Sequence, residues 1–229
     1  TKTNKDYNKR PRQTPKMALT KATFVIVSAR RWSRKGEWLK KKRRTKQWAE
    51  VRAYDADDIE QWLEQSTAVA LQFAEELGLR GPGVESIAKH WGDWAQQSYP
   101  PINSEALFID RQDTRDRFLA DLQGKLESGQ PGTLTVRADS VDEAAAFVCA
   151  SLLTHPQLSA KSLVVTQPIG WGYVEQNPTL KVCVAARPEF AEKPTRRNGF
   201  VVVIPHATGD MAGYRGAAGR GNNTDLTIE

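Results

Sequence analysis

The stretch from Trp48 to Gln65, WAEVRAYDADDIEQWLEQ, places the strongest constraint on the fold of this chain. Its first part runs from Val51 to Tyr54 and has the apolar and aromatic residues of a short, mostly buried strand. A group of acids then opens an apolar pattern at helical spacing, of which Ile59 and Leu63 are members. The stretch predicts a strand, an acidic turn and a helix. It also predicts the end of a domain, because the chain before it is strongly basic and the chain after it is helical and then α/β.

Positive charge is concentrated before this stretch. Residues 1–52 contain 18 Lys and Arg against three acids, about +15, whereas the other 177 residues sum to about −9 and bring the net charge to +6. The densest run of cations is interleaved with Trp32, Trp38 and Trp48, a composition typical of a surface that contacts phosphates. The alternative is a solvated helix whose tryptophans face the core. The predicted nucleic-acid-binding residues are Arg30, Arg31, Arg34, Lys35, Lys40, Lys41, Lys42, Arg43, Arg44 and Lys46.

Two strands and two helices are predicted for the end of the first domain. Residues 22–28 form a continuous apolar, β-branched run, typical of a parallel strand that is covered on both faces. A helix over 34–46 then leads to the strand at 51–54, and a helical crossover makes two strands parallel. The polar residues 1–21 are predicted to be extended or partly helical.

The buried strand FVIVSARRW, the basic helix and the segment VRAYDADDIEQWL resemble the last two strand–helix units of a restriction-endonuclease-like (PD-(D/E)xK) domain of bacterial defence proteins. The resemblance covers residues 4–65 and implies a Mg²⁺-dependent DNA phosphodiesterase, in which paired acids hold the metal and a Lys helps to position the attacking water. The chain contains no Asp/Glu-x-Lys triplet. We therefore expect no catalytic residue here, a catalytic strand upstream of Thr1, and a sequence that is a piece of a longer protein.

The densest cluster of acids is a candidate metal site and consists of Asp55, Asp57, Asp58 and Glu60. Hard cations prefer several carboxylates, but acids at the start of a helix also cap its free N–H groups and complement its dipole. We favour the capping role. No histidine has a metal-ligand spacing to a cysteine or carboxylate, so we expect neither a metal nor another cofactor here, and Mg²⁺ only for the parent nuclease.

Residues 66–101 are predicted to be a helical linker. Apolar residues at helical spacing indicate one amphipathic helix over 69–77 and another over 84–95. A turn at 81–83 separates them. The domain boundaries that follow are 1–65, 66–101 and 102–229.

Residues 102–229 show alternating helical and strand patterns, which predict a parallel α/β sheet. The expected helices are 113–129 and 144–153, and the expected strands are 133–138, 162–166, 180–185, 200–204 and 226–229. The order of parts over 133–229 resembles the start of a P-loop NTPase of the STAND class. The turn that would hold phosphates in that class has no glycine and no lysine here and contains Asp139, Asp142 and Glu143. Because these carboxylates repel a triphosphate, we expect a degenerate domain that does not bind ATP.

The remaining sequence features concern location and partners. Neither the longest apolar runs nor any other segment reaches the ~20 residues of a membrane span, and Cys149 and Cys183 lie in apolar runs that suit reduced thiols. We predict a cytoplasmic protein with nucleic acid as partner, no membrane, and a further protein partner or self-association through the α/β domain. Two functions remain: part of an anti-phage nuclease with a regulatory NTPase-like domain, or a non-enzymatic module that binds nucleic acid or protein.

Overall fold

The computed structural model describes residues 2–13, 16–191, 194, 196–209 and 223–228. The chain divides into two compact units, Thr1–Gln65 and Ser66–Glu229, called unit 1 and unit 2 below. Both units contain helices together with parallel strands, so the predicted α/β class is confirmed.

Unit 1 is built on a two-stranded parallel sheet. Its elements are α1 (Lys2–Gln13), α2 (Lys16–Leu19), β1 (Thr23–Val27), α3 (Lys35–Arg44), β2 (Glu50–Tyr54) and α4 (Ala56–Gln65). Strands β1 and β2 pair in parallel with Phe24 opposite Val51, and α3 is the crossover between them. The predicted parallel pairing is therefore confirmed.

One face of the β1–β2 sheet carries the core of unit 1. Tyr7, Phe24 and Val51 are buried there, and Trp38 and Trp48 are among the half-buried residues packed against them. The buried Tyr7 belongs to α1, so this N-terminal segment is a helix packed on the core of unit 1. A single aromatic residue in a polar stretch gives no helical period from which this packing could be predicted.

The opposite face of β1 differs from the prediction of a strand covered on both faces. Val25 and Val27 are 50% and 59% exposed, respectively. Alternate residues of a strand point to opposite faces, and a continuous apolar run does not show whether both faces are covered.

Unit 2 contains the rest of the described elements. These are α5 (Thr67–Glu76), β3 (Val84–Ser86), α6 (Ile87–Ala95), α7 (Ser104–Leu107), α8 (Gln112–Glu127), β4 (Gly132–Ala138), α9 (Val141–Leu153), α10 (Pro156–Ser159), β5 (Ser162–Val165), α11 (Gly170–Gln176), β6 (Val182–Ala185), a 3-10 turn at Pro188–Ala191, β7 (Val201–Ala207) and β8 (Asn223–Thr227).

The six strands described for unit 2 form one sheet in the order β3-β5-β6-β7-β4-β8. All neighbours in it are parallel except β3, which runs antiparallel to β5. From β4 the chain continues to β5, which lies on one side of β4 in the sheet. From β7, the neighbour of β4, it continues to β8, which lies on the other side of β4. In open α/β sheets such a reversal marks the crevice at the carboxyl ends of the strands where ligands bind.

Helices cover both faces of the unit 2 sheet, which explains why its strands are nearly continuous apolar runs. One core layer joins Phe118 of α8 and Phe147 of α9 to residues such as Val136. The other joins Leu71 of α5 and Trp171 of α11 to residues such as Leu163.

The segment 66–101, described from the sequence as a helical linker, lies within unit 2 and contributes to its sheet. Its helices are present as α5 and α6, but residues 84–86 form β3, with Val84 opposite Val165, where a helix start was predicted. Ser86 then caps α6, because its Oγ accepts a hydrogen bond from the Lys89 N–H. A three-residue strand shows no period of its own and depends on the neighbouring strand for its hydrogen bonds.

Candidate nucleic-acid interface

Helix α3 presents cations on its solvent side. At 100° per residue, Lys40, Lys41 and Arg44 share one side of the helix, and all three are exposed. Trp38 and Leu39 lie on the other side, against the core of unit 1. Glu37 is the single acid in the α3 sequence. The solvent side of α3 is therefore strongly positive.

The three tryptophans of the basic region hold the fold together. The Trp38 ring lies 5.7 Å from the Tyr7 ring and 5.1 Å from the Trp32 ring, and its indole N–H donates a hydrogen bond to Oδ1 of Asn4. The Trp48 ring lies 5.3 Å from that of Phe24. Aromatic residues beside basic ones can either stack on bases or anchor an element to the core, and these contacts favour anchoring.

Lys42 is turned toward the protein. Its ammonium nitrogen lies 4.2 Å from the centroid of the Tyr7 ring and 5.9 Å from that of Trp38, which are cation–π distances. Burial, together with the nearby charge of Lys41, lowers the pKa of Lys42. This lysine belongs to the α1–α3 packing.

Lys35 is bound by two carboxylates at the start of α4. Its ammonium nitrogen lies 2.7 Å from Oδ1 of Asp55 and also contacts Oδ2 of Asp58. The hydrogen bonds that Lys35 donates to Asp55 and Asp58 raise the pKa of Lys35. The bond from Lys35 is also the main reason why the pKa of Asp55 is lowered to about 2, against the opposing effect of burial. The charge of Lys35 is thus compensated inside unit 1.

The other acids of this turn are also engaged. Asp58 accepts a hydrogen bond from the Asp55 N–H at 2.8 Å, the reaching-back contact of a capping box, so the predicted capping role is confirmed for Asp58. The guanidinium of Arg31 lies 2.8 Å from Asp57 and 3.8 Å from Glu60. Among the described residues, no group of three or more His, Cys, Asp or Glu has the arrangement of a metal site.

Arg43 is exposed, but part of its guanidinium is engaged within unit 1, since its Nε donates a hydrogen bond to the Val51 carbonyl at 3.0 Å. The other predicted residues are exposed, and no described carboxylate lies within ion-pair distance of them. This set, called the basic face below, is Arg30, Arg34, Lys40, Lys41, Arg44 and Lys46.

Two lysines near this region were missed by the sequence reasoning. Lys5 and Lys9 are exposed on α1, and α1 packs directly on α3 through Tyr7, whose hydroxyl lies 2.9 Å from Oγ1 of Thr45. Both lysines contribute to the positive net charge of residues 1–52. Because residues 1–21 show no helical period, the sequence does not place these two lysines on a helix beside α3.

The turn at the carboxyl end of β4, in unit 2, is rich in carboxylates, in contrast to the basic face of unit 1. Ser140 caps α9 by accepting a hydrogen bond from the Glu143 N–H, and Arg111 binds Glu143 at 2.8 Å. Arg187, which follows β6, lies 3.8 Å from Asp142. A cavity of about 630 Å³, partly lined by Trp94, adjoins this turn through Arg111 and Glu143.

None of the helices described for this chain is long and apolar enough to cross a membrane. Comparison with known protein families, with curated proteins and with solved structures finds no match for this chain.

Proposed function

We propose that unit 1 binds the phosphate backbone of nucleic acid through the basic face. The observation that carries this proposal is that no described carboxylate lies within ion-pair distance of these six exposed cations, whereas the nearby Arg31 and Lys35 are paired with carboxylates. Binding by such a surface is mainly electrostatic, with little preference among base sequences.

The parent protein in this proposal is an anti-phage nuclease of the restriction-endonuclease-like class. The parallel β1–β2 pair joined by a basic helix and followed by α4 supports this assignment. The acids Asp55 and Asp58 are occupied by Lys35, and the chain has no Asp/Glu-x-Lys triplet. In this proposal unit 1 therefore holds nucleic acid, and Mg²⁺-dependent cleavage belongs to residues outside the sequence.

Unit 2 is proposed to be the regulatory, degenerate P-loop-NTPase-like domain. The mostly parallel sheet and the reversal between β4 and β7 support it, because the turn after β4 then lies where nucleotides bind in such sheets. The three carboxylates of that turn, Asp139, Asp142 and Glu143, argue against a triphosphate there. Regulation by this domain would thus not require ATP hydrolysis.

The alternative is a non-enzymatic module that binds nucleic acid or a protein partner. The absence of the nuclease triplet from the sequence and the acidic turn of unit 2 favour it. Nucleic-acid binding would use the basic face in the nuclease and in a nucleic-acid-binding module alike, which makes it the first property to test.

The test is fluorescence anisotropy of a labelled DNA duplex at several salt concentrations, with the wild type and the variant Lys40→Gln/Lys41→Gln/Arg44→Gln. Six phosphate contacts predict a slope of log K against log[salt] of about −5, and removal of three predicts a slope smaller in magnitude by about 2 to 3. The matched control is Arg80→Gln/Arg117→Gln/Arg196→Gln, which removes the same charge from exposed positions of unit 2. Equal affinities and slopes of wild type and α3 variant would refute the proposal.

A further inference from the structure

A second cavity in unit 2, of about 460 Å³, lies at the amino ends of three neighbouring parallel strands. Lys161 directly precedes β5, Lys181 directly precedes β6 and Gly199 lies just before β7. The last turn of α8 and the short α10 form the other walls. This cavity is therefore at the opposite edge of the sheet from the acidic turn after β4.

The two lysines of this cavity are held side by side by the sheet. The Lys181 N–H donates a hydrogen bond to the Lys161 carbonyl at 2.9 Å, and the next residues, Ser162 and Val182, are partners in the β5–β6 register. Adjacent strands are about 5 Å apart, so the two side chains start from neighbouring positions. Among the described residues no carboxylate lies within ion-pair distance of either ammonium group. An anion between them would offset their mutual repulsion.

The other described walls combine polar donors with apolar surface. His155 contacts Oγ1 of Thr154 through Nδ1 at 2.8 Å, which leaves its Nε2 for another partner. Gln157 is exposed at the cavity, and Leu126 and Leu158 provide apolar contact. None of the described lining residues is acidic. A volume of this size lies in the range of pockets for small organic ligands.

We propose that this cavity binds a small organic anion, with its charged group between Lys161 and Lys181 and its apolar part against Leu126 and Leu158. The proposal is independent of the basic face in unit 1. It gives unit 2 a ligand site that does not use the turn after β4.

Isothermal titration calorimetry of the full chain with phenyl phosphate tests the proposal, in buffer of low ionic strength. Phenol, which has the same ring without the charge, is the neutral counterpart. We expect phenyl phosphate to bind and phenol to bind at least tenfold more weakly. Added salt should weaken the binding of phenyl phosphate, because it screens the lysines.

The variant Lys161→Gln/Lys181→Gln should bind phenyl phosphate roughly tenfold or more weakly, since two charges close to the anion are lost. Lys9→Gln/Lys21→Gln removes the same charge from exposed positions of unit 1 and should bind like the wild type. Gln157→Glu is a second cavity variant, at an exposed position, and should also weaken binding because it adds a carboxylate to the wall. Circular dichroism melting establishes that each variant is folded.

Three results would overturn the proposal. The first is the absence of phenyl phosphate binding by the wild type at millimolar concentration. The second is equal affinity for phenol and phenyl phosphate, which would make the cavity a purely apolar site. The third is unchanged affinity in both Lys161→Gln/Lys181→Gln and Gln157→Glu, which would place the bound anion elsewhere.

Discussion

The ammonium nitrogen of Lys35 lies 2.7 Å from Oδ1 of Asp55, and this ion pair joins the first residue of α3 to the residue that follows β2. Asp55 is 3% exposed, and its other oxygen accepts a hydrogen bond from the Trp32 N–H at 3.0 Å. One carboxylate thus holds both the loop before α3 and the start of α3. The contact fixes the start of α3, the helix that carries Lys40, Lys41 and Arg44.

The Lys35–Asp55 pair should make unit 1 sensitive to acid. The pKa of Asp55 is lowered to about 2 in the folded chain from about 3.9 in an unfolded one, so its contribution to stability is present above about pH 4 and is lost as the pH falls toward 2. The raised pKa of Lys35 keeps its contribution intact up to its usual value near 10.5 and removes it only at higher pH. Hydrogen exchange of peptides from residues 23–54 should show protection that falls between pH 4 and 2.

Asp55→Asn should reduce that protection at pH 7 and remove much of its dependence on acid. Asp57→Asn is the control, because the Arg31–Asp57 pair is exposed on both sides and such pairs add little stability. The same loss of protection in both variants would mean that the buried carboxylate has no special role.

Tyr7 should be essential to unit 1 although it lies in the polar N-terminal segment. Its side chain is 1% exposed and its ring packs edge-on against Phe24 at 5.1 Å. Tyr7→Ala should lower the free energy of unfolding by about 3–5 kcal/mol, as for other buried aromatic residues. Tyr7→Phe keeps the ring and loses the hydroxyl contact with Thr45, which predicts about 1 kcal/mol. Urea denaturation measures both, and equal losses would contradict the packing role of the ring.

Arg197 should stabilise the chain after α11 in unit 2. Its guanidinium donates hydrogen bonds to the carbonyls of Val174, Asn177 and Leu180 at 3.0, 3.1 and 2.6 Å. Burial lowers the pKa of Arg197. Arg197→Ala leaves these carbonyls without their donor and should cost about 1–3 kcal/mol in thermal or urea unfolding.

The neighbouring Arg196 provides the control for this variant, since its side chain is exposed. Arg196→Ala should change stability by no more than about 0.5 kcal/mol, as is usual for surface positions. If both variants unfolded alike, the loss would come from charge and not from the carbonyl contacts.

Unit 2 should not bind Mg-ATP at the turn after β4. Asp139 and Asp142 are exposed there, and Glu143 is bound to Arg111. The carboxylates repel phosphate, and Ser140 already occupies the Glu143 N–H at the start of α9. Calorimetric titration should give no heat above dilution. Micromolar binding that disappears in Arg111→Ala/Arg187→Ala, which removes two cations beside the turn, would show that the turn holds phosphate after all.

The sequence was sufficient for the features that depend on local pattern and composition. The apolar runs at β1 and β2 and the basic helix between them predicted a parallel pair, because a crossover helix allows little else. The alternating helices and strands after residue 101 likewise predicted a parallel sheet. Charge is additive along the chain, so the excess of cations in residues 1–52 needed no structure to be seen.

Tertiary structure decided which of the ten predicted cations face solvent without a partner. Lys35 meets Asp55 and Asp58, which are 20 and 23 positions later in the chain, because β2 brings the chain back beside the start of α3. Lys42 meets Tyr7, which is 35 positions before it. Contacts over such distances leave no periodic trace in the sequence. The same reason applies to β3, which exists because β5 pairs with it, and to the lysines before β5 and β6. These two become neighbours only when the sheet forms, since strand order is set by packing of whole elements and not by any local propensity.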